Sequence, residues 1–136
     1  MLNHSLDDSS GGAREKPPKK VFASIDSVDA AERWNDHGGQ GPILFRRIFK
    51  ESDFNCAIDF IDYTAIPPGS TIGRHEHHGN EEIYFVVSGS PLMRVNGETS
   101  RLCSGSFSVV RSGEWHELVN DTASKVEILV VQVHLA

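Results

Sequence analysis

Residues 69–89 have the sequence GSTIGRHEHHGNEEIYFVVSG, and this stretch decides the fold. It indicates two short strands joined by a turn at residues 78–80. Alternate side chains of an extended strand point to the same face, so His75 and His77 leave the first strand together. An antiparallel return of the chain would bring Glu82 opposite these two imidazoles. The stretch therefore predicts two successive antiparallel strands with three converging side chains of the kind that bind metal ions.

Short apolar or alternating runs fill the chain from Pro42 to the C-terminus, with turn-forming residues between them. This pattern is typical of an all-β sandwich or barrel. Asn96 and Gly97 are the strongest hairpin signal, because a type I′ turn needs positive φ at both central residues. Short strands with tight turns close economically as a barrel or jelly roll. We predict nine strands, near residues 43–49, 55–66, 72–77, 82–87, 91–95, 98–102, 107–110, 115–119 and 126–134.

The N-terminal part of the chain has a different composition. Residues 1–20 are polar, contain Gly and Pro pairs and have little to bury, which predicts a disordered tail. Three apolar residues recur at helical spacing over Asp26–Asn35, which predicts a short N-terminal helix. A length of 136 residues suits one domain. We therefore assign residues 21–136 to a single β-barrel domain.

Charge and composition exclude several classes of partner. A net charge of −6 argues against nucleic acid, which proteins bind through Lys and Arg. The longest apolar runs are far shorter than the roughly 20 residues that span a bilayer, so no membrane partner is expected. The N-terminus lacks the features of a secretory signal, so we expect a cytoplasmic protein that binds a small molecule. Cys56 and Cys103 are too few for a disulfide scaffold and are predicted to be buried, reduced thiols.

His116 is the fourth candidate metal ligand, because it begins another predicted strand after a Ser-Gly turn. Three imidazoles and one carboxylate suit Fe, Mn, Co, Ni, Cu or Zn, whereas Ca and Mg prefer oxygen ligands. A six-coordinate ion would keep two positions for water or substrate, and open positions are typical of catalytic sites. The predicted metal ligands are therefore His75, His77, Glu82 and His116.

Two neighbouring glutamates compete for the ligand role. We favour Glu82 over Glu81, because Glu82 shares strand parity with the apolar inward-facing residues and Glu81 does not. The same parity turns Tyr84 inward, where its hydroxyl would orient the substrate or donate a proton, or where the ring packs at the mouth of the barrel. His78 and Glu76 are expected to point outward into solvent.

Six further polar residues within the predicted strands are candidates for the pocket. At most one of the three arginines is expected to line it and to bind a carboxylate or phosphate, since a lone Arg on a strand is usually solvated. The two aspartates and the glutamine need a hydrogen-bond partner if their side chains are buried. The arginines are Arg74, Arg94 and Arg111, and the others are Asp59, Asp62 and Gln132.

The spacing of these residues resembles the two sequence motifs of the cupin family. Every fixed position of the first motif is matched, by Gly69-x5-His75-x-His77-x4-Glu82-x6-Gly89. The second motif is matched by Gly105-x5-Arg111-x-Gly113-x2-His116-x3-Asn120, except that Arg111 stands where the family usually has Pro. The resemblance covers roughly residues 42–136. It implies a double-stranded β-helix, or jelly-roll barrel, with one divalent metal ion inside, often in a homodimer.

The resemblance implies no single reaction, and three functions stay open. We place first a non-haem Fe(II) dioxygenase, in which iron holds O₂ beside a small polar organic substrate. The second is a non-redox isomerase, lyase, decarboxylase or sugar-modifying enzyme that uses the ion as a Lewis acid. The third is a small-molecule-binding module without catalysis. Sensors of that kind usually carry an output domain such as a helix-turn-helix, and the first 40 residues are too short and too polar for one.

Overall fold

A computed structural model describes residues 18–136. Most of the predicted tail lies outside the described residues, and residues 18–20 are exposed and without regular structure. Within the described part the chain forms ten strands and three short 3-10 helices. The 3-10 helices are Ile25–Ser27, Asp36–Gly38 and Glu51–Asp53. The strands are β1 (Ala31–Trp34), β2 (Pro42–Lys50), β3 (Ile58–Ile66), β4 (Thr71–Glu76), β5 (Asn80–Ser88), β6 (Leu92–Val95), β7 (Glu98–Arg101), β8 (Phe107–Val110), β9 (Trp115–Val119) and β10 (Val126–His134).

The strands form two antiparallel sheets, which confirms the predicted all-β fold. One sheet has six strands in the order β1-β2-β3-β10-β5-β8, and the other has four in the order β4-β9-β6-β7. Side chains of both sheets meet in one apolar core, which includes Ile66 and Ile128 from the first sheet and Met93 and Leu118 from the second. The two sheets therefore enclose an interior, and polar side chains on inward positions must find their partners there.

The helix predicted over Asp26–Asn35 is wrong. A 3-10 helix of three residues and then strand β1 occupy this stretch. An isolated helix of about ten residues is marginal in water, whereas β1 gains backbone hydrogen bonds by pairing with β2, from Ala31 opposite Phe45 to Trp34 opposite Pro42. The helices of residues 18–136 are all too short to cross a membrane.

The hairpin predicted at Asn96 and Gly97 is confirmed. These residues have φ angles of 49° and 90°, so both central positions of the turn are positive. Strands β6 and β7 pair on either side of the turn, with Val95 opposite Glu98. This left-handed backbone is the one that Asn and Gly adopt at least cost.

The prediction of two buried cysteines is wrong. Cys56 and Cys103 are free thiols, but both are exposed. Cys56 precedes β3, although the predicted strand 55–66 includes it, and Cys103 follows both β7 and the predicted strand 98–102. The strands are shorter at these ends than the apolar pattern suggests.

Candidate metal centre

Four side chains from both sheets converge inside the barrel, and β4 and β5 do not pair with each other as a hairpin. His75 lies on β4, His77 directly follows β4, Glu82 lies on β5 and His116 lies on β9. One ligand atom from each residue lies within 4.8 Å of the others. His77, Glu82 and His116 are buried, and His75 is partly buried. The spacing in the sequence predicts this same group of four.

The distances between the ligand atoms suit one bound cation. The Nε2 atom of His116 is 3.1 Å from the Nε2 atoms of both His75 and His77. The Oε1 atom of Glu82 is 3.3 Å from His116 Nε2 and 3.6 Å from His77 Nε2. Two ligand atoms about 2.1 Å from a shared transition-metal ion are roughly 3.0–3.4 Å apart when their angle at the ion is about 90–110°.

Hydrogen bonds on the far side of two imidazoles aim their Nε2 atoms at the centre of the group. His75 Nδ1 donates to the carbonyl oxygen of Gly73 at 2.7 Å, and His77 Nδ1 donates to Oδ1 of Asn80 at 2.6 Å. With the proton on Nδ1, each Nε2 presents a lone pair to the interior. A single N–H of His116 cannot satisfy two such lone pairs and a carboxylate, whereas a metal cation can. The donor set therefore fits a metal ion.

Hydrogen bonds connect the loop that contains His77 to the turn that precedes His116. The His77 N–H donates to the carbonyl oxygen of Glu114 at 3.0 Å, and the Gly113 N–H donates to the carbonyl oxygen of His77 at 2.7 Å. Ser112 Oγ accepts a further bond from the Gly79 N–H at 3.0 Å. These bonds hold the loop after β4 against the turn before β9, so the positions of His77 and His116 are coupled.

The turn before His116 is stable without the family's usual Pro. The Arg111 N–H donates to Oε1 of Glu114 at 2.8 Å, and the Glu114 N–H donates to the carbonyl oxygen of Arg111 at 3.0 Å. A Pro at this position has no N–H and could not make the first bond. The departure from the motif therefore replaces ring rigidity by a hydrogen bond and removes none of the four converging side chains.

Burial keeps two of the imidazoles neutral. Loss of hydration lowers the pKa of His75 to about 4. The hydrogen bond to Gly73 acts in the opposite direction and raises this pKa, whereas neighbouring His37, His116 and His77 lower it further. Burial also lowers the pKa of His116, although Glu82 opposes the shift. Neutral imidazoles are the form that binds metal ions, so these groups need not lose a proton near pH 7 to act as ligands.

A cavity of about 250 Å³ adjoins the four residues. His75, His77 and Glu82 contribute to its lining together with Tyr84, which is 3% exposed. Burial, followed by the Glu82 carboxylate, raises the pKa of Tyr84 well above its ordinary value, so its hydroxyl stays protonated. Two larger grooves on the protein surface do not contain the four residues. Besides Glu82, the charged residues that line the cavity are Arg33, Asp36, Arg47 and Asp62.

The arginines of the cavity are not the three that the sequence indicates as candidates. Arg74 lies over the ring of Trp115, with its guanidinium carbon 3.9 Å from the ring centroid. Arg94 is paired with Glu117 on the surface, and the Arg111 side chain is 63% exposed. None of these three lines the cavity beside the histidines. Arg33 and Arg47 line it instead.

A signal for Arg47 was present in the sequence. Ile43, Phe45 and Arg47 alternate along β2, and all three line the cavity, as strand parity requires. Arg33 gave no such signal, because it lies in β1, the strand that was predicted to be a helix. On the neighbouring strands, Asp62 and Gln132 line the cavity, whereas Asp59 lies in an outer groove.

The residues that were expected to face outward do so. His78 Nε2 is 2.9 Å from Oε2 of Glu76, and both side chains are exposed. Glu81 lies opposite Val133 of β10 and is absent from the cavity lining, in contrast to Glu82. Alternation along β5 therefore separates the two glutamates as the parity argument predicts.

The model of the Cupin domain family matches residues 62–132, which are more than half of the chain. The chain belongs to the cupin family. This cupin is 28% identical over 101 residues to the oxalate-binding protein of Thermotoga maritima, across 74% of this chain and 84% of the relative. It is 27% identical over 75 residues to the tetracenomycin polyketide synthase protein TcmJ of Streptomyces glaucescens, across 55% of this chain and 50% of TcmJ.

Solved structures show the same fold. A predicted oxalate decarboxylase from Thermotoga maritima has a TM-score of 0.82 to this cupin at 24% identity, across 85% of this chain and 100% of that chain. KdgF from Halomonas sp. has a TM-score of 0.71 at 15% identity, across 87% of this chain and 96% of that chain. At these identities the likeness concerns the barrel alone.

The family match covers the histidine and glutamate group but only part of the cavity. His75, His77, Glu82 and His116 lie within residues 62–132. Three charged residues of the cavity, Arg33, Asp36 and Arg47, precede the matched stretch. These three residues belong to the first two strands and the loop between them, which precede the matched stretch.

Proposed function

We propose that this cupin is a metal-dependent enzyme that acts on a small organic anion. The observation that carries the proposal is the cavity of about 250 Å³ in which the histidine and glutamate group meets Arg33 and Arg47. One part of its lining suits a metal cation and the other suits a carboxylate. A cavity of this volume would hold an acid of a few carbon atoms.

His75, His77, Glu82 and His116 would hold the metal. Three nitrogens and one carboxylate oxygen suit a transition metal, with Fe(II) favoured from the sequence and Mn, Ni, Zn, Cu and Co as alternatives. When bound, the ion would supply positive charge that stabilises a negatively charged substrate oxygen. The carbonyl oxygen of Gly73 and the amide oxygen of Asn80 orient the ligands, as partners of metal-binding histidines do in general.

Arg33 and Arg47 would bind the anionic group of the substrate. Arg47 donates to Asp62 through Nε at 2.9 Å and through Nη2 at 3.0 Å. Its guanidinium carbon lies 4.3 Å from the ring centroid of Phe60, and that of Arg33 lies 4.1 Å from the ring centroid of Phe45. The Arg47 guanidinium is thus fixed on one edge and one face and still has N–H groups for a carboxylate, and the Arg33 guanidinium is 3.9 Å from the Asp36 carboxylate and makes no hydrogen bond to it. The oxalate-binding relative supports a ligand of this class.

Tyr84 would donate a hydrogen bond or a proton to the bound substrate. Its hydroxyl is protonated, it lines the cavity, and its ring centroid lies 4.8 Å from that of His116. Apolar side chains from β2 and β10, including Ile43, Phe45 and Val130, line the same cavity and would limit the entry of water. Polar interactions inside such a cavity are stronger than in bulk water.

Two reactions are compatible with this arrangement. The dioxygenase that we place first from the sequence requires Fe(II) and O₂ as co-substrate. The second candidate is a non-redox reaction, such as decarboxylation or another lyase reaction. The oxalate-binding relative, together with Arg33 and Arg47, favours a carboxylate substrate for this reaction. A third candidate function is small-molecule binding without catalysis.

The test starts with elemental analysis of protein that was purified without chelator or metal-affinity tag. The protein is then loaded anaerobically with Fe(II), Mn(II) or Zn(II) and mixed with small mono- and dicarboxylates, with their amides as neutral controls. Substrate-dependent O₂ uptake with Fe(II) supports the dioxygenase. CO₂ release without O₂ supports the non-redox enzyme, and ligand binding without any product supports the binding module. Absence of metal binding under every loading contradicts the proposal.

A pair of arginine variants tests the anion site. Arg47→Ala should weaken carboxylate binding, because Arg47 lines the cavity. Arg94→Ala is the matched control, since Arg94 pairs with Glu117 on the surface, away from the cavity. Equal loss of binding in both variants, or in neither, contradicts the role of Arg47.

We also propose that the chain forms a homodimer through the outer face of the six-stranded sheet. Phe107 is 68% exposed and Ile83 is 38% exposed on this face, and the Phe85 ring centroid lies 4.7 Å from that of Phe107. Contiguous exposed apolar side chains are typical of a protein interface. Light scattering should give twice the chain mass for the wild type and the chain mass for Phe107→Glu. A monomeric wild type contradicts the dimer.

A further inference from the structure

The loop between β1 and β2, residues Asn35–Gly41, has an unusual backbone. Asn35 and His37 have φ angles of 53° and 50°, and Gly38 and Gly41 have φ angles of 76° and 73°. Left-handed conformations are uncommon for residues other than Gly, and they persist only where surrounding contacts impose them. Asn35 and His37 therefore adopt a left-handed conformation that is unfavourable in free energy for residues other than Gly.

Hydrogen bonds hold this loop against the first strand of the metal centre. The Thr71 N–H donates to the carbonyl oxygen of Gln40 at 2.9 Å, and the Gln40 N–H donates to Oγ1 of Thr71 at 2.8 Å. The base of the loop is closed by a bond of 3.0 Å from the Asn35 N–H to the carbonyl oxygen of Gly41. The loop is thus attached to β4 four residues before His75.

Gly73 lies between the loop and His75 and contacts both. A Cβ atom at Gly73 would lie 2.2 Å from the carbonyl oxygen of His37, so only glycine lets the loop approach this closely. The carbonyl oxygen of the same glycine accepts the hydrogen bond from His75 Nδ1 at 2.7 Å. One residue therefore makes room for the loop and fixes one edge of the His75 ring.

The His37 ring covers a face of the His75 ring. The two ring centroids are 3.7 Å apart and the ring planes differ by 10°, which is close stacking. The His37 side chain is 48% exposed, so it is not held there by burial in the core. Contact on one face and a hydrogen bond on one edge together leave the His75 imidazole a single orientation, with Nε2 directed at the other ligand atoms.

We propose that the Asn35–Gly41 loop is a strap that fixes the orientation of His75 for a divalent metal ion, and that His37 is its positioning residue. The inference rests on the proposed metal site and adds a part that the family match does not contain, since the matched stretch begins at residue 62. His37 also lines the cavity, so the same ring forms part of the wall beside the bound anion.

Three variants separate ring stacking from other contributions of His37. His37→Gly removes the ring and tolerates the left-handed backbone, so it changes the stacking without adding strain. His37→Phe keeps a flat ring and removes both nitrogens. His78→Ala is the control, because His78 is an exposed histidine next to His77 in the sequence and its side chain pairs with Glu76.

The measurements are the Co(II) affinity, by competition with a chromophoric chelator, and the visible spectrum of the Co(II)-loaded protein. We expect His37→Gly to bind Co(II) about 10-fold or more weakly, with a changed spectrum, as for loss of other groups that orient metal ligands. His37→Phe should recover most of the affinity and the wild-type spectrum, and His78→Ala should match the wild type. Circular dichroism and thermal unfolding check that each variant is folded, and His37→Asn replaces the Gly variant if that one is not.

The outcomes distinguish the strap from the metal site. If the wild type binds Co(II) and His37→Gly binds it equally well with the same spectrum, the strap has no positioning role and the metal site stands. If His37→Phe is as weak as His37→Gly, stacking is not the cause and the inference is overturned. If the wild type binds no Co(II), Zn(II) or Fe(II), the proposed metal site and the strap's role both fail.

Discussion

His75 and His116 lie directly opposite each other on the antiparallel strands β4 and β9, and their Nε2 atoms are 3.1 Å apart. Residues that are paired across two strands carry their side chains on the same face of the sheet. A shift of this pairing by one residue would turn one imidazole away from the interior. The register of two strands therefore brings together half of the candidate metal centre.

Loss of a buried imidazole should abolish stoichiometric metal binding. We expect His77→Ala and His116→Ala to retain little or no metal, because each removes a nitrogen from the group of four. His78→Ala should retain the wild-type content, since His78 is exposed and outside the group. Elemental analysis of the three variants, purified side by side, checks this prediction. A requirement for His78 would mean that the assigned set of ligands is wrong.

The two adjacent glutamates should differ in their effect. Glu82→Gln removes the negative charge that lies 3.3 Å from His116 Nε2, and we expect metal affinity to fall at least about 10-fold. Glu81→Gln makes the same chemical change on the other face of β5 and should leave the affinity within about twofold, as expected of a surface substitution. Competition titration with a chelator measures both. The reverse order of effects would contradict the parity of β5.

Removal of Arg47 should destabilise the protein, because the buried carboxylate of Asp62 would lose its charged partner. The Asp62 side chain is 7% exposed, and burial raises its pKa although Arg47 opposes the shift. We expect Arg47→Ala to reduce the free energy of unfolding by about 1–3 kcal/mol. Adding Asp62→Asn should recover part of this loss, because no buried charge is then left. Urea unfolding of the wild type, the two single variants and the double variant gives the four free energies of unfolding of a double-mutant cycle.

A surface pair provides the control for this experiment. Arg94 and Glu117 form an exposed ion pair of 3.0 Å, and Arg94→Ala should cost only about 0–1 kcal/mol. If Asp62→Asn fails to relieve the Arg47→Ala variant, the carboxylate of Asp62 is not the source of the instability.

The effect of Tyr63 on stability should depend on pH. Hydrogen bonds from the hydroxyls of Tyr63 and Ser88 hold the pKa of Glu127 below its usual range. The folded state therefore favours ionised Glu127, and this stabilisation is present above the ordinary pKa of Glu and disappears as the pH falls through the lowered value. We expect Tyr63→Phe to be less stable than the wild type at pH 7, with a smaller difference at about pH 3. Urea unfolding at both values checks the sign, and a constant difference would contradict the role of Glu127.

Nine of the ten strands in the described part of the chain, and the group of three histidines and one glutamate, were predictable because local patterns determine them. Alternation identifies the faces of β5 and β9. His75, His77 and Glu82 are close in sequence, so the short loop from β4 to β5 is enough to bring them together, although the two strands belong to different sheets. Strand β1 was not predictable in this way. All four of its residues are exposed, so it shows no alternation, and its pairing with β2 alone makes it a strand.

The proposed anion site at Arg33 and Arg47 and the proposed strap depend on contacts between segments that are distant in sequence. Arg47 pairs with Asp62 because β2 lies beside β3, and β10 separates β3 from β5 in the sheet, an order that no local pattern specifies. The position of His37 on His75 depends on positive φ angles at non-glycine residues and on the absence of a side chain at Gly73. Each of these follows only from the assembled fold.

The position of the charged cavity residues before the family-matched stretch has an evolutionary consequence. Substitutions at Arg33 and Arg47 leave the spacing of His75, His77, Glu82 and His116 unchanged, since the two groups come from separate parts of the chain. With the proposed function, descendants that arise by gene duplication would acquire different substrates through mutations in the first two strands and would inherit the same four candidate metal ligands.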